Sequence, residues 1–388
     1  MNYLKSVVTV GQCGYGMSAV GDGQSTDGSD LIIKAVDKND PRPIWISIWG
    51  GANTLAQALW DIKNKRNQYQ VDEFLSKLRV FELCGQDDSG AWACHEFNGD
   101  GKQRLSWIRA SENWKAFTYD INGRFCDARG GNESVILIPW YDENVQSNHG
   151  PLGALYPDAK YTYEGDTPSF LHLLPPGLTE TEHPDYGGWG GRYIWIEMQR
   201  FNYVVSAGLG APSYFNIDEQ KYAPFWMFNE VNDHWQYNSE TYDNSYCSIF
   251  RWREAYQNDF EARMDWCVNE YANANHNPKL VVNGDKTTNV VYNEVTIGET
   301  LNLDASGSFD PDGDELTYKW WVYPEPGNYE GTLAIENASS QTAKINIPLD
   351  AIDKTIHVIL EVTDNGMPRL YSFRRIVITG KKDVTSYR

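Results

Sequence analysis

Ile44-Trp45-Ile46-Ser47-Ile48-Trp49-Gly50-Gly51-Ala52-Asn53-Thr54 decides how the first two-thirds of this 388-residue chain folds. A nearly continuous apolar run, introduced by Asp40-Pro41-Arg42-Pro43, predicts a strand buried on both faces. Gly50-Gly51 ends it, Asn53 or Thr54 can cap a helix, and Leu55, Leu59 and Ile62 fall on one helical face. Leu78 to Leu83 reads as a second such strand and runs into Cys84-Gly85-Gln86-Asp87-Asp88-Ser89-Gly90. Two strands with a helix between them predict a parallel α/β sheet.

Working outward, Gly99 to roughly Gly210 is rich in Gly, Pro, Asn and aromatics with little periodicity, which predicts long loops decorating the sheet. Ile249, Trp252, Tyr256, Phe260, Met264, Cys267 and Tyr271 recur at helical spacing, so a long amphipathic helix is expected over Ser248 to Tyr271. The linker Asn273-Ala274-Asn275-His276-Asn277-Pro278 follows. Beyond it the pattern changes to short alternating strands, Val290–Ile297, Thr300–Leu303, Leu316–Tyr323, Ala343–Ile347, Thr355–Val362 and Phe373–Thr379. That spacing predicts an antiparallel immunoglobulin-like β-sandwich with Trp320 in its core and Trp321 facing outward. The expected organisation is an α/β domain over 1–276 and an all-β domain over 277–388.

Composition narrows the partners. A formal net charge of -20, shared by both modules, repels a phosphate backbone and anionic membrane surfaces, so nucleic acid is not an expected partner. No apolar stretch reaches transmembrane length, and the N-terminal apolar run is too short for a signal peptide. Of 15 Trp, 13 precede Pro278, and their flat apolar faces suit either sugar rings or a large core. All six Cys lie before Pro278 without a Cys-x-x-Cys pair, which argues against a zinc ribbon and leaves disulfides and buried thiols both open.

Several motifs carry possible chemistry. Gly50 to Thr54 sits where a parallel strand feeds a helix, the end of the sheet at which open α/β folds bind ligands. Asp87 and Asp88 follow the next strand at the same end, where they can bind a cation or sugar hydroxyls, act as acid or base, or simply cap a helix. Glu164-Gly165-Asp166-Thr167-Pro168-Ser169 offers two acids in a loop entering a helix. Gly187-Gly188-Trp189-Gly190-Gly191-Arg192 frames one Trp and one Arg, either a sugar-stacking and hydrogen-bonding loop or a structural Ω-loop. Asp310-Pro311-Asp312-Gly313-Asp314 is similar to the start of a calcium loop, but Trp321 stands where an EF-hand needs its last carboxylate, and an acidic turn is the alternative. No nucleophile elbow, phosphate-binding glycine loop or His-based zinc motif occurs.

Pro41 to Trp45 and Trp49 to Trp60 closely resemble the bacterial family described as cellulose-binding proteins with a nucleoside-hydrolase-like domain. Gly85 to Trp92, Gly150 to Gly153, Glu164 to Phe170, Gly187 to Tyr193 and Arg251 to Ala255 match it as well. Ser306 to Asp314 also looks like the polycystic-kidney-disease (PKD) type of sandwich repeat. The resemblance implies a Rossmann-like, nucleoside-hydrolase-like domain followed by an immunoglobulin-like one, a polysaccharide or glycoside ligand, and a secreted or periplasmic location.

Nucleoside hydrolases hold calcium with an N-terminal aspartate cluster, a backbone carbonyl and a later aspartate. By position in the motif Asn53 resembles the carbonyl donor and Asp166 the later aspartate. The Asp-x-Asp-x-x-x-Asp-Asp string itself does not occur in this chain, so the resemblance implies a domain truncated at its front and too few calcium ligands at Asp166. The leading expectation is therefore a carbohydrate-associated protein with a cleft at the strand ends, in which Asn53, Glu164, Trp189 and Arg192 touch the ligand. The rivals are a metal-assisted hydrolase of N-glycosyl or related glycosyl bonds using Asp87, Asp88 and Asp166, and a structural adhesion protein. Calcium, if bound, is expected at Asp166 and Asn53 or at Asp310, Asp312 and Asp314.

Overall fold

The computed structural model describes residues 2–83, 85–110, 113–117, 130–157, 166–175, 177–196, 225–228 and 231–382. Their contacts form two compact units. Unit 1 comprises Met1–Trp114, Asp166–Ser169 and Tyr193–Val231, and unit 2 comprises Lys115–Gly165, Phe170–Arg192 and Asn232–Arg388. The sequence pattern changes at Pro278, yet segments on both sides of it share unit 2.

Unit 1 is built on a five-stranded sheet in the order β1 (Ile44–Ile48), β2 (Leu78–Leu83), β3 (Ser106–Ala110), β5 (Phe225–Met227), β4 (Ile194–Ile196). Neighbours from β1 to β5 pair in parallel and β4 pairs antiparallel with β5. Ile44 opposes Leu78 and Val80 opposes Trp107, which brings the strands' C-terminal ends to one side of the sheet. The helices that follow are α2 (Asp27–Val36), α3 (Asn53–Lys65), α4 (Gln68–Lys77) and α5 (Ser89–Asn98), after a short α1 (Asn2–Val7). Capping boxes start α2 at Thr26 and α4 at Asn67, each contributing about 1 kcal/mol. Leu55, Leu59 and Ile62 of α3 pack with Val80, Trp107 and Phe225 in one core, as the helical spacing requires.

Three expectations need correction. The Ile44 strand forms, but on the edge of the sheet, so Ile44, Trp45 and Ile46 are half-buried, Ser47 is exposed, only Ile48 is buried, and Trp49 beyond its end is 52% exposed. β3 arises inside the stretch expected to be loops. Its alternation is hidden because Arg109, a charged residue, is as buried as its apolar neighbours. Helix α3 starts at Asn53 with Ala52 as its N-cap, and no side chain caps it, neither Asn53 nor Thr54.

Unit 2 contains a two-stranded hairpin, β6 (Asp233–Tyr237) with β7 (Glu240–Asn244), and the sandwich. One sheet has the order β10 (Thr317–Tyr323), β13 (Thr355–Thr363), β14 (Tyr371–Lys381), β8 (Val291–Thr296), and the other β11 (Ile335–Glu336), β12 (Thr342–Asn346), β9 (Thr300–Asp304). All pairs are antiparallel except β14 with β8. Trp320, Val358, Leu360 and Ile376 from the first sheet meet Leu303, Ala343 and Ile345 from the second in a single core. Trp321 points away from that core but is half-buried, with Trp252 5.5 Å away between ring centroids.

The long helix expected over Ser248 to Tyr271 is broken. A turn at Cys247–Phe250 is followed by a helix over Arg253–Trp266. Between them Trp252 is driven inward to 1% exposure, edge-on to Phe373 at 5.4 Å. Its apolar spacing therefore serves the sandwich strands, which is why the periodicity overran the helix. Arg375 donates to Leu178 O (2.8 Å) and Gly187 O (2.9 Å), tying the 170–192 loops to β14.

Candidate functional site

The sheet's C-terminal edge in unit 1 collects four of the predicted residues, Asn53, Asp87, Asp88 and Asp166. Asp87 lies just beyond β2 and is 2% exposed. Its Oδ1 accepts the Ser89 N–H at the start of α5 (2.9 Å), while Oδ2 is buried against Gly51, just ahead of α3, with no hydrogen-bond partner. Burial pushes its carboxyl above the usual carboxylate range, opposed by the backbone N–H groups of Ser89 and Ala52. A carboxylate that accepts the first N–H of α5 is a structural cap for that helix, while its other oxygen lies against the chain ahead of α3. Asp88, half-buried, accepts the Met17 N–H through Oδ1 (2.8 Å) and fixes the preceding loop at Gly16, whose φ is +51°.

The glycines of this motif have a common cause. A side chain on Gly51 would collide with Asp87 and one on Gly16 with Asp88. On Gly85, a Cβ would lie 2.8 Å from the Arg109 guanidinium carbon, and on Gly90 it would strike Glu82 Oε1. Glu82 and Arg109 form the pair that sequence reasoning missed. Arg109 Nε and Nη2 donate to Glu82 Oε2 at 2.9 and 2.6 Å, and Trp107 Nε1 donates to the same oxygen at 2.9 Å. Both residues are at most 2% exposed, and burial raises the Glu82 carboxyl pKa against the attraction of Arg109. The available signal was a glutamate inside the otherwise apolar Leu78–Leu83 run, which has no place in a buried strand unless a cation meets it.

Trp49 is the second residue the motifs did not mark. Its Nε1–H is shared between Ser47 Oγ and Ser169 Oγ (2.6 Å), and Ser169 Oγ donates onward to Asp166 O (2.9 Å). The indole edge is thereby pinned while half of the ring's surface stays in solvent. Gln86 Nε2 donates to Trp49 O (3.1 Å), so the ends of β1 and β2 and the Asp166–Ser169 turn form one rim. Asn53, at the start of α3, donates from Nδ2 to Gly14 O (2.6 Å). Glu164 lies outside the described residues.

Trp189 and Arg192 belong to unit 2. Trp189 is 2% exposed, edge-on to Tyr256 and Phe373 at 6.3 and 6.5 Å, which gives it the position of a wall rather than an open stacking face. Arg192 Nε donates to Asp233 Oδ1 (2.7 Å), and Tyr323 OH donates to Asp233 Oδ2 (2.6 Å), so its guanidinium is engaged inside the fold. In the sandwich, Asp310 Oδ1 accepts the N–H groups of Asp312 (2.8 Å) and Asp314 (3.3 Å), and Asp312 accepts the His276 N–H (2.7 Å). That is an acidic turn tied to the linker.

Among the described residues no set of carboxylates is arranged to hold a calcium ion. Asp87 and Asp88 are turned onto backbone N–H groups, and among the described residues no three carboxylate, His or Cys groups converge as metal ligands. Among the described cysteines, Cys94 and Cys247 are buried thiols and Cys13 and Cys267 exposed ones. No helix among the described residues is long and apolar enough to cross a membrane.

Residues 1–193 match the family model described as cellulose-binding Sde182, nucleoside hydrolase-like domain, and residues 300–380 match that of the cellulose-binding protein Sde0182, C-terminal domain. A solved nucleoside hydrolase-related hypothetical protein from Saccharophagus degradans, described as associated with carbohydrate metabolism, is 40% identical with a TM-score of 0.78. The match covers 98% of this chain and 81% of that one. The PKD domain from the KIAA 1837 protein is 19% identical over 24% of this chain and 81% of its own, with a TM-score of 0.19. No curated protein matches. With an α/β sheet domain of this kind and an all-β domain behind it, the chain belongs to the family of cellulose-binding proteins with a nucleoside hydrolase-like domain.

Proposed function

We propose that this chain is an extracytoplasmic polysaccharide-associated protein that holds a β-glucan chain at the C-terminal rim of the unit 1 sheet. The observation that carries the reading is Trp49, a half-exposed indole pinned through its N–H by Ser47 and Ser169 at the end of β1. A ring fixed before binding loses little rotamer freedom when a sugar stacks on it. Asn53 and Asp166 stand on the neighbouring segments as hydrogen-bonding groups, while Asp87 and Asp88 shape the rim beneath. The family's description as cellulose-binding supports the choice of ligand and an extracellular location.

Retention on insoluble cellulose tests it. Trp49→Ala should lower the retained fraction about tenfold or more, equivalent to ~1.4 kcal/mol, without changing the melting curve. Retention of the parent chain no higher than that of serum albumin, or an unaffected variant, refutes the proposal. Hydrolysis of a glycosyl bond is the second reading, favoured by the Asp87 carboxyl, which burial raises in the direction a general acid requires. It requires turnover of nucleosides or aryl glycosides that Asp87→Asn abolishes.

A further inference from the structure

Unit 2 contains a half-open cavity of about 290 Å³ between the 170–192 loops, the Arg253–Trp266 helix, the linker and β14. Its apolar walls come from Trp189 and Phe373 with Leu174 and Leu280. Trp189 lines this space as a buried aromatic wall, 2% exposed. Ser372 Oγ donates to Pro278 O (2.7 Å), which leaves its lone pairs as acceptors. Thr287 and Thr288 add hydroxyls to the lining.

The charges do not match the rest of the molecule. In a chain of formal charge -20, the lining includes Arg263, Lys279, Lys286 and Arg374 against a single carboxylate, Asp259. Arg263 is neutralised by Asp259 at 2.6 Å. Arg374 is committed to the carbonyls of Asn289 and Asp285. The two exposed lysines remain as the excess positive charge at the mouth. A volume at the low end of ligand pockets, aromatic walls, hydroxyl acceptors and a cationic lip together suit one ring-sized, hydroxylated anion.

We propose that this cavity is a second saccharide subsite that takes a single sugar ring bearing a carboxylate, a uronate unit of an acidic glycan. The choice of a sugar rests on the polysaccharide reading above, whereas the preference for an anion rests on the cavity alone. The lysines contribute as point charges, so the discrimination is electrostatic and weakens with salt.

Calorimetric or NMR titration of the full chain with glucuronate, glucose and glucose 6-phosphate tests the assignment. Glucuronate should bind about fivefold or more tightly than glucose, and the double substitution Lys279→Glu with Lys286→Glu should remove that preference. Both lysines are exposed, so the variant is expected to fold, which an unchanged melting curve checks. Equal binding of glucuronate and glucose overturns the anionic subsite, binding of glucose 6-phosphate alone overturns the carboxylate, and no binding of any probe overturns the site. Trp49→Ala should leave glucuronate binding unchanged and the lysine variant should leave cellulose retention unchanged, so the two proposals fail separately.

Discussion

Removing Arg109 should destabilise the chain far more than removing the pair it belongs to. Arg109→Met keeps the volume of the stem but leaves Glu82, with no exposed surface, holding only the Trp107 N–H. Two charge-assisted hydrogen bonds, at 2.9 and 2.6 Å, are lost at once. Breaking a buried pair from one side costs about 3–5 kcal/mol because the remaining charge is uncompensated. The double variant Glu82→Gln with Arg109→Met removes that charge and should recover most of the loss. The pH dependence has a definite sign. The folded Glu82 carboxyl already sits above its unfolded value because of burial, and loss of Arg109 raises it further. A carboxyl raised by folding favours the folded state when protonated, so the penalty in Arg109→Met should be smallest near the unfolded value of roughly 4.3 and grow as pH rises toward 8. Guanidinium unfolding of the full chain, followed by tryptophan fluorescence at pH 5 and pH 8, reads both effects. A penalty below about 1 kcal/mol at pH 8, or a double variant no more stable than the single one, would refute the account.

Two further outcomes follow from the packing. Gly90→Ala should destabilise by about 1–3 kcal/mol, because the new methyl strikes Glu82 Oε1; helix propensity alone predicts the opposite sign, so a stabilised variant in a thermal melt contradicts the close approach. Glu261, held up at about 7 by burial and by the nearby Asp265 and Glu143, contributes stability that is present below its unfolded value and lost as pH rises through 7. Glu261→Gln should therefore leave the unfolding free energy unchanged at pH 4 and raise it at pH 8, by no more than about 1 kcal/mol after solvent screening, and an equal effect at both values in denaturant unfolding would rule this out.

What the sequence made legible was burial expressed as period. The Leu78–Leu83 strand, the α3 face and the sandwich strands with Trp320 inside were readable because alternation or helical spacing is a local property. What it hid was burial satisfied across strands. Arg109 breaks the apolar pattern of β3, and only its partner 27 positions earlier makes that strand possible. The overrun of the helix beyond Arg253–Trp266 has the same origin, since Trp252 continues the period for the sake of the sandwich rather than of the helix.

The two aspartates of the Gly85-Gln86-Asp87-Asp88-Ser89-Gly90 string show why adjacency in sequence is a poor guide to a shared role. Asp87 turns inward onto the start of α5, and Asp88 turns onto the Gly16–Met17 loop. Each accepts a backbone N–H through its Oδ1, and four glycines give up their side chains to make room for these acids and for the Glu82–Arg109 pair. A motif so fully occupied in supporting itself leaves the rim's open chemistry to a residue outside it. Trp49 fills that position because β1 lies at the sheet edge, where a residue just past the strand end keeps one side in solvent while its N–H is held from the other. In the proposed reading the same run that announced the strand also supplies the platform, because the edge position leaves part of an apolar pattern that looked like core on the surface.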